Sequence, residues 1–232
     1  MRGYGQFCPV AMGAEVFAER WTPLIVRELL CGSHRFTELL HGVPGIPRSV
    51  LTTRLADLRR AGVVEARRDG NGRGTSWWLT PAGTELGPVV EALGAWGFRH
   101  AVETLPADHL DPDLFIWFAH RRIRLELVPH DRVVVEFCFV GPTPIRRWLV
   151  IRPPEVEVCR KDPMIDPDLI VSTDAETFAR VYLGQVDLAT ATRAGRVSIE
   201  GAPALVRSFP GWFGITHFVR YRERMSEPSF GG

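Results

Sequence analysis

The sequence predicts an α+β protein in two parts. The N-terminal half is helical and ends in a β-hairpin; the C-terminal half is an antiparallel sheet covered by helices. Three observations carry this. Residues 33–60 hold two helix-length segments around the turn Gly42-Val-Pro-Gly-Ile-Pro47. Residues 63–80 hold two short strand-like runs around the tip Asp69-Gly-Asn-Gly-Arg-Gly-Thr75, which is rich in turn formers. Beyond a polar, proline-bearing stretch at 105–113 the pattern changes, and runs such as Arg132-Val-Val-Val-Glu-Phe-Cys-Phe-Val140 read as strands. The expected division is therefore a first domain over 1–104, a linker over 105–113, a second domain over 114–225 and a flexible tail over 226–232.

In chain order, a first helix is expected over residues 8–21, with Pro9 at its start. A second covers 22–31, with Thr22 as cap, Pro23 at the first helical position and Gly32 closing it. Residues 33–41 form a short third helix and 48–60 a fourth. In the fourth, Leu51, Leu55 and Leu58 recur at spacings of four and three, so one face is apolar and packs inward. Ser49, Thr52, Thr53 and Ala56 then face away. Pro47 favours the helix start, Ser49 lies close enough to cap it, and Gly62 ends it as a left-handed cap.

Helix, turn, helix and hairpin in that order make a winged helix, an architecture that seats one helix in the DNA major groove. Taken alone, the fourth helix reads equally well as an amphipathic helix with a solvated basic face. The hairpin and the charge favour the nucleic-acid reading. Between residues 48 and 73 there are seven arginines and three carboxylates, a net of +4 in a chain whose total is only +1. Small hydroxyls suit close approach to base edges, and Arg48 reaches a guanine or a phosphate. Arginines on the hairpin suit the minor groove or the phosphates. The candidate DNA contacts are Arg35, Arg48, Ser49, Thr52, Thr53, Arg67, Arg68, Asn71 and Arg73.

Residues 80–98 begin with Thr80-Pro, the same capping pattern as Thr22-Pro, and form the last helix of the first half. Leu86, Val89, Val90, Leu93 and Trp96, with Ala101 beyond, lay a wide apolar stripe along it. Such a stripe pairs with its own copy in a homodimer, matching two DNA half-sites, or packs on the first helix or the second half of the chain.

In the second half, residues 114–119 belong to a helix. Strands are expected at 132–140, 147–151, 155–159, 169–173 and 197–200. Helices are expected at 174–183 (capped by Asp174 or Thr173), 188–193 and 202–209. Aromatic residues are abundant here. Some fill the core, as aromatic residues usually do, and some can line an apolar pocket. The candidate ligand-binding residues are Phe115, Phe118, Phe137, Phe139, Trp148, Phe178, Tyr182, Phe209, Trp212 and Phe213.

Several classes of protein are disfavoured. Apolar content of 45% and charged content of 24% describe an ordinary folded protein. No apolar run approaches 18 residues, and Met1-Arg-Gly-Tyr-Gly-Gln is not a signal peptide, so a cytoplasmic protein without a membrane partner is expected. The four cysteines, at 8, 31, 138 and 159, are scattered, which argues against zinc or a disulfide framework. There is no glycine-rich phosphate loop, no Gly-x-Ser-x-Gly elbow and no His-Glu-x-x-His, so neither an enzyme nor a cofactor is expected.

Two blocks of the chain resemble known families. Cys8-Pro-Val, Arg20-Trp-Thr-Pro-Leu-Ile-Val-Arg-Glu-Leu-Leu30, Arg35-Phe-Thr-Glu-Leu39, residues 44–58 and Leu79-Thr-Pro-Ala-Gly83 resemble, in order and spacing, the HxlR family of bacterial winged-helix regulators. That resemblance implies a dimeric transcriptional regulator that binds double-stranded DNA. Some members sense oxidants or electrophiles through an N-terminal cysteine, here Cys8; a thiol at a helix start is chemically suited to this, and an inert, packed thiol is the alternative. Trp148-Leu-Val, residues 155–163, Asp166-Pro-Asp-Leu-Ile-Val171, Phe178-Ala-Arg-Val-Tyr-Leu-Gly184 and residues 194–201 resemble the sterol carrier protein type-2 domain. This implies a sheet covered by helices around an apolar tunnel, and hence a lipid or other apolar small molecule as effector of DNA binding. The alternative is a lipid or sterol carrier whose winged helix serves dimerisation or protein binding.

Overall fold

The computed structural model describes residues 3–68, 74–102, 106 and 109–222. The chain divides between Gly94 and Ala95 into two compact units.

The first unit begins with α1 (Pro9–Phe17), α2 (Thr22–Leu30), α3 (Phe36–Gly42) and α4 (Arg48–Arg60). Proline sits within the first two positions of α1 and α2, where its missing N–H would have had no intrahelical partner anyway. Two capping expectations are corrected. Thr22 lies one residue inside α2 and is buried, and the cap position falls to Trp21 in left-handed backbone, φ 78°. Ser49 likewise lies inside α4, whose cap position is Pro47, without a side-chain capping bond. The third helix also starts later than expected. Ser33 is buried with its hydroxyl on Glu28, and the Glu38 carboxylate accepts from the backbone N–H groups of His34 and Arg35 instead.

Leu51, Leu55 and Leu58 are buried as the spacing demands, packed with Ile25, Val26 and Leu39. Gly62 ends α4 at φ 74°, a backbone region that favours glycine. The hairpin follows as β1 (Val64–Arg68) antiparallel to β2 (Thr75–Leu79). An isolated antiparallel bridge between Arg35 and Ser76 fastens the start of α3 to it.

The expected helix over 80–98 is two helices, α5 (Pro81–Thr84) and α6 (Gly87–His100). Thr80 caps α5 as expected, its hydroxyl accepting from the Gly83 N–H at 3.1 Å. Gly83 is buried so tightly that a methyl there would overlap the Val63 carbonyl, which fixes the close pass of α5 against the start of the wing.

The second unit contains α7 (Pro112–Ala119), β3 (Val133–Phe139), β4 (Ile145–Arg152), β5 (Glu155–Cys159), β6 (Leu169–Thr173), α8 (Ala175–Tyr182), α9 (Leu188–Arg193), β7 (Val197–Gly201) and α10 (Pro203–Trp212). The sheet order is β5-β4-β3-β6-β7. It is mainly antiparallel, with one parallel pairing, β3 with β6, that strand patterning did not reveal. Asp174 caps α8, accepting from the Thr177 N–H at 2.7 Å. Side chains alternate across β3: Val133, Val135, Phe137 and Phe139 join the main core with Leu149, Ile151, Phe178, Phe209 and Trp212.

Candidate DNA-reading surface and apolar core site

α4 turns its leucines inward, so Arg48, Ser49, Thr52 and Thr53 are exposed on its outer face. The Thr52 and Thr53 hydroxyls each donate to the backbone carbonyl four residues earlier, at 3.0 Å, leaving oxygen lone pairs outward as acceptors. The Arg48 guanidinium lies 5.0 Å from the centre of the Phe36 ring, so α3 steadies it without neutralising it. Arg35 and Arg68 are exposed and form no ion pair with another described residue. Asn71 and Arg73 lie outside the described residues.

The excess of arginine over residues 48–73 is thus not all available to a phosphate backbone. Arg54 bridges Glu19 at 2.8 Å and Asp57 at 3.5 Å, and Arg60 bridges Asp57 at 2.9 Å. Arg67 pairs with Glu65 at 2.5 Å and covers the Trp78 ring at 4.7 Å. Sequence reading could not separate these roles, because Glu19 and Arg54 are 35 residues apart. Sequence reading missed two further supports. The His34 ring stacks on Trp78 at 3.5 Å, joining the residues before α3 to the wing. Glu28, fully buried, accepts from the Ser33 hydroxyl and pairs with Arg27, which also donates to the Gly42 carbonyl.

Cys8 is exposed at the cap position of α1, and Cys31 is exposed after α2. Cys138 and Cys159 are different. Burial pushes both thiols up, and a carboxylate raises each further: Glu136, which accepts from the Cys138 thiol at 3.3 Å, and Glu157 beside Cys159. These two are poor nucleophiles at neutral pH. Among the described residues no group of three or more His, Cys, Asp and Glu is placed to hold a metal ion.

In the second unit the aromatic candidates fall into two sets. Phe115, Phe137, Phe139, Phe178, Phe209 and Phe213 converge in the main core. Phe139 and Phe178 lie 5.3 Å apart and Phe209 and Phe213 4.9 Å apart, and Tyr182 packs at the margin. Trp212 is fully buried against Phe209. Phe118 is partly buried and lies outside that set. Trp148 is a correction: it faces the opposite side of the sheet, packed with Val134, Val150, Cys159 and Ile165. The register explains it, since Trp148 pairs with Glu136, one residue out of phase with Phe137. The cavity among Phe137, Phe178, Phe209 and Phe213 measures about 10 Å³, space for about one water.

A two-helix turn and wing with exposed hydroxyls and Arg48 on an outward helix define the class: a DNA-binding winged helix-turn-helix protein. Over residues 16–104 the chain matches the HxlR-like helix-turn-helix family, and over residues 109–213 the SCP-2 sterol transfer family. The helix-turn-helix transcriptional regulator YvaP of Bacillus subtilis is 32% identical over 110 residues, which make up 46% of this chain and 96% of YvaP. YodB, another such regulator of B. subtilis, is 31% identical over 91 residues, 38% of this chain and 81% of YodB. The solved structure of YodB in its reduced form aligns over 43% of this chain and 100% of that one, with 27% identity and a TM-score of 0.37. The chain belongs to the HxlR-like helix-turn-helix family and carries an SCP-2 domain in its C-terminal half. It is a transcriptional regulator of this type, and its relatives are regulators rather than enzymes. No helix among the described residues is long and apolar enough to cross a membrane.

Proposed function

We propose that the chain acts as a cytoplasmic homodimer that reads two DNA half-sites and whose DNA affinity is set by an uncharged apolar molecule held in the SCP-2 domain. Arg48, Ser49, Thr52 and Thr53 contact base edges and nearby phosphates. Arg35 and Arg68, with Asn71 and Arg73, contact the backbone or the minor groove. The observation that carries the reading is the outer face of α4, which keeps its hydroxyls and Arg48 exposed while Arg54 and Arg60 are tied to Glu19 and Asp57. Pairing is supported by α6, where Val89, Leu93 and Trp96 stay exposed at spacings of four and three. Tyr4, Phe7 and Val10 near the chain start are exposed as well.

Contacts within the second unit support the effector reading. α8 carries Phe178 and Val181 into the apolar cavity. Just past its end, the Gln185 side chain donates to the Val102 carbonyl at 3.3 Å. The Arg222 guanidinium donates to the Leu183 and Gly184 carbonyls and lies over the Phe98 ring of α6. A ligand that moves α8 therefore works on the helix that bears the pairing stripe. This couples to DNA binding only if the ligand prefers one of the two states.

Band-shift titration on the DNA upstream of the protein's own coding region, at several salt concentrations, tests the reading. Specific binding whose affinity falls steeply with salt is expected. Binding indifferent to both Arg48→Ala and Thr52→Ala would refute the reader assignment.

A further inference from the structure

We propose that the ring of Phe213 occupies the ligand position of the C-terminal domain as a displaceable plug, and that the molecule taking its place is an uncharged planar aromatic compound of a single ring. This rests on the effector reading above and gives that effector a chemical class.

Three rings bracket Phe213. Phe209 stacks on it at 4.9 Å and 20°, Phe137 lies at 5.8 Å, and Phe178 stands edge-on at 6.1 Å and 74°. With the ring in place the residual cavity is about 10 Å³, too small for any organic ligand. With the ring turned out, the vacated space is a phenyl-shaped slot with a stacking wall and an edge-on wall. These are the arrangements that planar aromatic groups prefer. A dry cavity of about 150 Å³ lined by such side chains accepts benzene, whereas larger ligands need roughly 300–1,000 Å³.

The lining sets the charge of the ligand. None of the cavity residues is ionisable, and its one hydroxyl, on Thr173, is already donated to the Asp174 carbonyl at 3.3 Å. A carboxylate or ammonium drawn into this slot would lose its hydration without a partner.

Phe213 is also the ring best placed to leave. Phe137, Phe178 and Phe209 project from β3, α8 and α10, whereas Phe213 ends α10 with extended backbone, φ −81° and ψ 106°. That backbone is held independently of the ring. The Trp212 carbonyl accepts from the Arg124 N–H at 2.9 Å, and Gly214 sits so close to the Arg122 carbonyl that a methyl would overlap it. The chain can stay fixed while the side chain turns about its first torsion.

The test uses the full-length protein with 4-fluorophenylalanine in place of Phe213, titrated with benzene and separately with palmitate. Benzene should bind, raise the melting temperature and move the fluorine resonance toward its solvent-exposed position. Palmitate should do none of these. Phe213→Ala removes the plug and should bind benzene at least tenfold more tightly than the wild type; Phe213→Leu, which keeps more of the core filled, should also bind it more tightly. The proposal is overturned if benzene fails to bind the wild type, if palmitate binds in its place, or if the resonance stays put on binding. A band shift run alongside separates this from the effector reading. Benzene that binds and moves the ring without changing DNA affinity sinks the effector reading and leaves the plug standing. An apolar extract that changes DNA affinity while benzene does not bind does the reverse.

Discussion

Replacing Leu93 by alanine or glutamate should dissociate the proposed dimer, and the structure sets the scale. Val89, Leu93 and Trp96 are 47%, 50% and 57% exposed on α6. Complete burial of a large apolar side chain contributes roughly 1.5–3 kcal/mol, so the half still open to water is worth about 1 kcal/mol at each position. In a two-fold interface every change is made twice. Leu93→Ala should therefore cost about 2 kcal/mol per dimer, on the order of thirtyfold in the dissociation constant. Leu93→Glu should cost more, because it also places two carboxylates where water is excluded. Sedimentation velocity over a range of protein concentrations at fixed salt measures this directly. A wild type that stays monomeric at tens of micromolar, or a Leu93→Glu variant with the wild-type dissociation constant, would refute the stripe as the pairing surface.

Other outcomes follow from the same geometry. Arg48→Ala and Arg68→Ala should each lower the salt dependence of DNA binding by about one unit of slope, read from band shifts at four or more salt concentrations. Arg54→Ala should instead lower the melting temperature, since its partners are Glu19 and Asp57. Gly42→Ala drives a methyl into the buried Glu28 carboxylate and should cost roughly 1–3 kcal/mol of overpacking in urea unfolding; an unchanged midpoint would mean that Glu28 moves freely. For Asp174, burial alone raises the carboxyl, but the hydrogen bonds donated by the Thr177 N–H and hydroxyl outweigh it and hold the group below the ordinary carboxylate range. Its folded value being depressed, the stabilisation is present above the unfolded value of about 3.9 and is lost as pH falls through the folded one. Asp174→Ala should therefore cost about 1 kcal/mol near pH 7, and the gap to wild type should narrow in unfolding curves taken below about pH 4.

Most of the fold was legible because it is local. The leucine spacing of α4, the Thr80-Pro81 cap and the strand run at 132–140 each depend on neighbours a few residues away, and each reads straight off the chain. What stayed hidden was long-range. The parallel pairing of β3 with β6 depends on how the connecting segments route, and a buried run such as Val133-Val-Val135 reads alike in either sense. Trp148 shows the same limit at one side chain. Its size suggested a pocket wall, but the β3–β4 register sends it to the other face. The proposed DNA-facing set was legible as an exposed helix face and less so as a charge, because sequence counts arginines and geometry pairs them. The closed aromatic cavity was the hardest to anticipate. Composition supplies the rings, and only their packing decides whether space is left between them.

The boundary between the two compact units falls within α6, immediately before Ala95. The family match to the first half nevertheless runs on to residue 104. Residues 95–102 thus fall within the family match to the reader and pack with the unit that follows it. Excising the reader at Gly94 would strand the eight residues from Gly87 to Gly94, well short of the roughly 12–15 needed for a helix to persist alone in water.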